Sequence, residues 1–101
     1  MSDGEILVKV DPRIAGLLPK FLAHCRHNVS EIRGAIEAND LEITRRIGHS
    51  LMGAGSSYGF DEIGSIGGEI ERAARAADVG ALRGLVDRLD RYLARVRPVF
   101  E

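Results

Sequence analysis

The sequence predicts an all-α fold: an antiparallel up-down-up-down four-helix bundle with a short extra helix at its N-terminus. Two observations carry this reading. Apolar residues recur every three or four positions from Asp11 almost to the end, and helix-ending signals separate four such stripes at short intervals. A third excludes sheet folds, because no segment alternates with period two for long enough to make a strand.

The first ten residues read as a loose N-terminal arm, with room for a short extended patch at Ile6 to Val10, and residues 11–101 form the bundle. Ile14, Leu18, Phe21, Cys25, Val29, Ile32 and Ile36 make one helical stripe. Pro12 suits a first helical position. Pro19 divides a short leading helix from a long one, because its ring clashes with the preceding turn. The polar step Ala38-Asn39-Asp40 ends that helix, and Asn39 or Asp40 caps the next.

The following helix runs from about Leu41 to about Tyr58, where Gly59 terminates it in left-handed conformation. Asp61 and Glu62 place negative charge at the start of another, with Phe60, Ile63, Ile66, Ile70, Ala73 and Ala77 as its stripe. Asp78 caps a last helix, with Leu82, Leu85, Leu89, Leu93 and Val96 inward and Pro98 as its stop. Short loops between long helices make sequential helices antiparallel neighbours.

A chain of 101 residues is one domain's worth. A formal net charge of −1 argues against nucleic acid as a partner, where a basic excess is expected. No apolar run approaches the ~20 residues of a membrane span, and Met1 to Val10 lacks the pattern of a signal peptide. The lone Cys25 has no disulfide partner within the chain, so the protein reads as soluble and cytoplasmic. With five aromatic residues and no tryptophan, the core must be aliphatic. Glycine is the anomaly: seven of twelve (Gly48, Gly53, Gly55, Gly59, Gly64, Gly67, Gly68) fall within 21 residues. Glycine in a helix interior costs roughly 0.5–1 kcal/mol against alanine, so this density needs a reason.

The same stretch holds the candidate site. Ile47, Leu51 and Ala54 share the inward face of their helix, and His49 lies about 200° round from Ile47 and from Leu51, hence outward. Arg45, Met52, Gly53 and Ser56 stand on the same side of the helix, the first three within one turn of it. An imidazole with a pKa near ~6.5 is largely neutral near pH 7, so a ring nitrogen lone pair is available as a nucleophile. Gly53 leaves no side chain one turn away, and Gly48 thins the flank, so a partner's surface can approach closely. No acid occurs between Glu42 and Asp61, while Arg45 and Arg46 just precede the histidine. That field suits an added phosphoryl group. The competing reading of a lone helical histidine is an ordinary surface residue, and clustered glycines also let helices pack closely, which suits Gly64, Gly67 and Gly68 better than Gly53.

His49-Ser50-Leu51-Met52-Gly53, followed by a small-residue run and Tyr58-Gly59-Phe60, resembles the phosphorylation motif of bacterial histidine phosphotransfer (HPt) domains. Their pattern is His-x-x-Lys-Gly, a few small residues, then Gly. The resemblance also covers the Pro19-led helix, the break at Asn39-Asp40 and two further helices. It implies a monomeric phosphorelay carrier whose His49 takes a phosphoryl group from an aspartate of one receiver domain and gives it to another. The receivers would belong to response regulators or hybrid histidine kinases. Arg45, Arg46, Gly48, Met52, Gly53 and Ser56 would form the phosphoryl and partner surface. The receiver would bring Mg²⁺, and the chain would hold no cofactor or metal and have no kinase or nucleotide-binding activity.

One departure matters: Met52 stands where the pattern has lysine. Three readings of it stay open. Arg45 compensates in part, the receiver's own cations make the charge dispensable, or the chain binds receivers without being phosphorylated. A purely structural helical bundle is the remaining alternative.

Other signals carry less. Gly53-Ala54-Gly55-Ser56-Ser57-Tyr58-Gly59 superficially suggests a dinucleotide loop, but it follows no strand and its third glycine is one position late. Cys25 sits on the inward stripe and His24 and His27 diverge from it, against a metal site. Glu-x-x-His does not occur. Arg88, Arg91 and Arg95 lie among Asp87 and Asp90 and read as a salt-bridged, solvated face.

Overall fold

Pro12 and Pro19 organise the entry to the bundle. In the computed structural model, which describes residues 4–100, a 3-10 helix spans Pro12–Leu17, capped by the Asp11 carboxylate on Arg13 N. Helix α1 then runs Leu18–Glu37 with Pro19 in its first turn, where the missing N–H costs nothing. Asn39 takes the left-handed conformation (φ 56°) that ends α1, and Asp40 caps α2, Leu41–Tyr58, by accepting from Ile43 N at 3.2 Å. Gly59 (φ 84°) closes α2, α3 spans Asp61–Arg75, and Asp78 caps α4, Val79–Arg95.

The helices touch in a ring, α1 to α2 to α3 to α4 and back to α1, as an up-down-up-down bundle requires. Cys25, Ile32, Phe60, Ile63, Ile66, Ile70, Leu82 and Leu89 are fully buried at its centre. Phe21 stacks on Tyr58 with centroids 4.4 Å apart and tilts against Phe60, fixing the corner where α2 turns into α3.

Two expectations are corrected. The N-terminal segment is not a loose arm throughout: Ile6–Val10 is a strand, β1, paired in parallel with a second strand, β2, at Val96–Phe100. Residues 1–3 of the expected arm, and residue 101, lie outside the described residues. The last stripe places Val96 in the helix, but α4 ends at Arg95 and the chain turns extended at Val96 (ψ 137°), which is still buried. The topology explains the pairing, since an even number of antiparallel helices returns the end of α4 beside the start of α1. Pro98 is tolerated because a two-stranded ribbon consists only of edges. Arg97 to Glu5 at 2.7 Å and Arg95 to Gly4 O at 2.8 Å tie the two termini together.

Candidate functional site

The glycines of α2 and α3 determine what reaches the histidine. A Cβ on Gly48 would lie 2.8 Å from both Glu71 N and Gly67 O, and one on Gly67 would lie 2.6 Å from Met52 N. A Cβ on Gly55 would strike Gly64 N. The two helices therefore meet backbone to backbone, and only glycine permits it. The inward face of α2 is accordingly Thr44, Gly48, Leu51 and Gly55, turned toward α3 from the expected line, with Ile47 and Ala54 only half-buried. Gly48 is corrected from a partner-facing residue to a buried one, because α3 occupies that flank.

This seam brings Glu71 of α3 to the ring of His49. The imidazole is 64% exposed, and its Nδ1 lies 3.1 Å from Glu71 Oε2, whose side chain is only 10% exposed. Arg75 donates to the same oxygen at 3.0 Å, and Arg45 Nη1 stands 3.8 Å away. A carboxylate already accepting from a guanidinium is an acceptor, so the ring nitrogen facing it must be the donor, Nδ1–H. That assigns the tautomer and leaves the lone pair on Nε2, the nitrogen away from Glu71. The acid-free window of the sequence is thus not acid-free in space.

The other expected site residues divide. Arg45, half-buried, donates to Glu42 at 2.9 and 2.7 Å, and Arg46, exposed, donates to it at 3.2 Å. The hydrogen bonds from Arg45, and then Arg46, hold the Glu42 carboxyl down at about 2. Both arginines are therefore partly neutralised where the sequence suggested free positive charge. Met52, 37% exposed, lies across the seam over Gly68, its Sδ 3.3 Å from where a Cβ there would be. Gly53 faces open space, and Ser56 is exposed near it.

Away from the site, Cys25 is fully buried, and desolvation pushes its thiol up to about 11. Arg88 leaves the expected solvated row to bridge Glu62 and Glu69 of α3, at 2.8 and 3.1 Å.

Glu71 and Arg75 are the members that sequence reasoning missed. The available signal was the second stripe of α3: Gly64, Gly67, Gly68, Glu71 and Ala74 follow helical spacing, so a carboxylate shares the face that glycine opens for close packing.

His24, His27 and His49 are all exposed, and among the described residues only His49 has a buried carboxylate against its ring. A helical bundle that presents such a histidine is of the class that carries chemistry on a single nucleophile. The family model of the Hpt domain matches residues 16–98, and the chain belongs to that family, the histidine phosphotransfer modules of phosphorelays. Its members are phosphocarriers rather than enzymes and work with receiver domains. No curated protein and no solved structure gives a significant match. Among the described residues, no helix is long and apolar enough to cross a membrane.

Proposed function

We propose that His49 accepts a phosphoryl group from the phospho-aspartate of one receiver domain and passes it to the aspartate of another. The observation that carries this reading is the His49–Glu71 contact, which supports Nδ1 as the protonated nitrogen and Nε2 as the nucleophile, on a ring that is 64% exposed. In the forward step the Nε2 lone pair forms the N–P bond while the P–O bond to the aspartyl carboxylate breaks, and that carboxylate keeps the electron pair. The ring becomes cationic, and Glu71 lies against its Nδ1–H to stabilise the charge. The reverse step regenerates neutral His49.

Phosphoryl transfer asks the protein for position and charge rather than covalent work. The rigid α2–α3 seam supplies position. Gly53, with nothing within 4 Å of the place its Cβ would take, supports close in-line approach by a partner. The receiver brings Mg²⁺ and its acidic pocket, and the carrier is consumed and regenerated without nucleotide. Its partners are receivers of response regulators or hybrid kinases, met through an interface on the order of 1,200 Å² or less.

Incubation with phosphorylated receivers followed by intact-mass measurement tests the reading. One phosphoryl group is expected on the wild type and none on His49→Gln, with both proteins equally folded. Receiver affinity without uptake would make the chain a binding module only, and absence of affinity would make it a structural bundle.

A further inference from the structure

Of the four arginines on α2 and α3, three already face carboxylates: Arg45 and Arg46 face Glu42, and Arg75 faces Glu71. Arg72 has no hydrogen-bond or ion-pair partner among the described residues, although it follows Glu71 directly in the chain. Helical side chains lean toward the N-terminus, so Arg72 lies back over the preceding turn, where Gly68 offers no side chain. There its Nη1 comes within 3.5 Å of where the Gly68 Cβ would be, beside the Met52 sulfur at 3.3 Å from the same point. Met52 is three residues after His49 and so its neighbour on the helix surface. The bare patch over Gly68 therefore holds an uncommitted guanidinium in the layer next to the histidine, against a thioether that carries no charge.

A phosphoryl group on Nε2 brings about two negative charges to a ring that already faces the Glu71 carboxylate. The cationic ring offsets part of the new charge and Arg75 and Arg45 offset the carboxylate, so a further cation beside the phosphoryl oxygens would favour their doubly charged form. We propose that Arg72 is a positioning residue for the phosphorylated state: its guanidinium swings from Gly68 to the phosphoryl oxygens of His49, supplying from α3 the positive charge that Met52 does not supply from α2. The proposal rests on His49 being the phosphorylated residue. Gly68 belongs to the device, because a side chain there would crowd the ends of Arg72 and Met52, at 3.5 and 3.3 Å from its Cβ position.

The test loads His49 chemically with phosphoramidate, without any receiver, in a His24→Gln, His27→Gln background that leaves one histidine. The second ionisation of the phosphoryl group is then followed by ³¹P NMR. A nearby cation favours the dianion and lowers that pKa. Arg72→Gln is expected to weaken the second ionisation about two- to fivefold, the range of an exposed charge pair, and the difference should shrink in high salt. Arg72→Lys should restore most of it, and thermal melting should match the wild type throughout.

Titration curves of wild type and Arg72→Gln that coincide at low salt would overturn the assignment. So would a shift produced by Arg75→Gln and not by Arg72→Gln. Either result leaves the phosphocarrier reading standing. Failure of phosphoramidate to load His49 at all would overturn both.

Discussion

Helix α2 carries glycine on two faces, and the faces use it in opposite ways. Toward α3, Gly48 and Gly55 sit where any Cβ would strike backbone of the facing helix. Toward solvent, Gly53 has nothing within 4 Å and leaves ground clear beside His49. The inward glycines hold a seam that carries Glu71 to the ring, and the outward one keeps the other side of the ring approachable. The residue type is identical and the physics is not: one face depends on what glycine lets in from its own chain, the other on what it does not place before a partner.

Gly48→Ala should break the inward half of this contrast with the largest effect. Its Cβ would lie 2.8 Å from two backbone atoms, which cannot rotate away, so the seam must open. A loss of about 1–3 kcal/mol is expected in urea melts, with weakened Glu71 contact at His49. Gly53→Glu is the outward counterpart. It should leave stability unchanged or slightly raised, since glycine is a poor helix former, while receiver affinity falls about tenfold or more, ~1.4 kcal/mol. Unaltered affinity by titration calorimetry would place docking on another face.

The core beneath both faces supplies a smaller effect that neither glycine should change. Burial raises the Cys25 thiol from 9.0 to about 11 and the Tyr92 hydroxyl from 10.0 to about 12. Both groups bind their protons more tightly when folded. Their stabilisation is therefore complete below about pH 9 and is lost as the pH climbs through 11 to 12. Urea midpoints should fall over that window, and Tyr92→Phe should remove part of the fall, on the order of 1 kcal/mol.

The smallest expected change is Met52→Lys, which adds a cation one turn from the phosphorylated ring. An exposed pair of this kind is worth ~0.2–1 kcal/mol, so phospho-His49 should become at most several-fold more favoured, less so as salt rises. Acid-labile phosphate measured at two salt concentrations checks it. Uptake by the lysine variant but not by the wild type would mark a lost relay.

Much of this was legible in the sequence because it is local. The cap at Asp78, a cap at Asn39 or Asp40, the stop at Gly59, the division at Pro19 and the outward setting of His49 follow from propensity and helical period. The β1–β2 ribbon was half legible: the extended patch at Ile6 to Val10 was, and its pairing with Val96–Phe100 was not. Five residues containing a proline do not look like a strand, and they become one only because the bundle returns its two ends to one place. Glu71 was missed for a related reason: it lies 22 positions from His49, and nothing in one helix's period says which residue of the next will meet it. Even so, the cluster of glycines announced a close contact before its partner was known. The free charge expected of Arg45 and Arg46 failed because Glu42, outside the window considered, lies within a turn of both.

The central claim is that Glu71 holds the proton of His49 on Nδ1 so that Nε2 takes the phosphoryl group. Long-range ¹H–¹⁵N correlation spectra of the ¹⁵N-labelled protein, before and after incubation with a phosphorylated receiver, read both nitrogens directly. The expected result is a protonated Nδ1 in the free protein and phosphate on Nε2 of His49, with His24 and His27 unmodified. Phosphate on Nδ1, or on either of the other histidines with His49 unchanged, would contradict it.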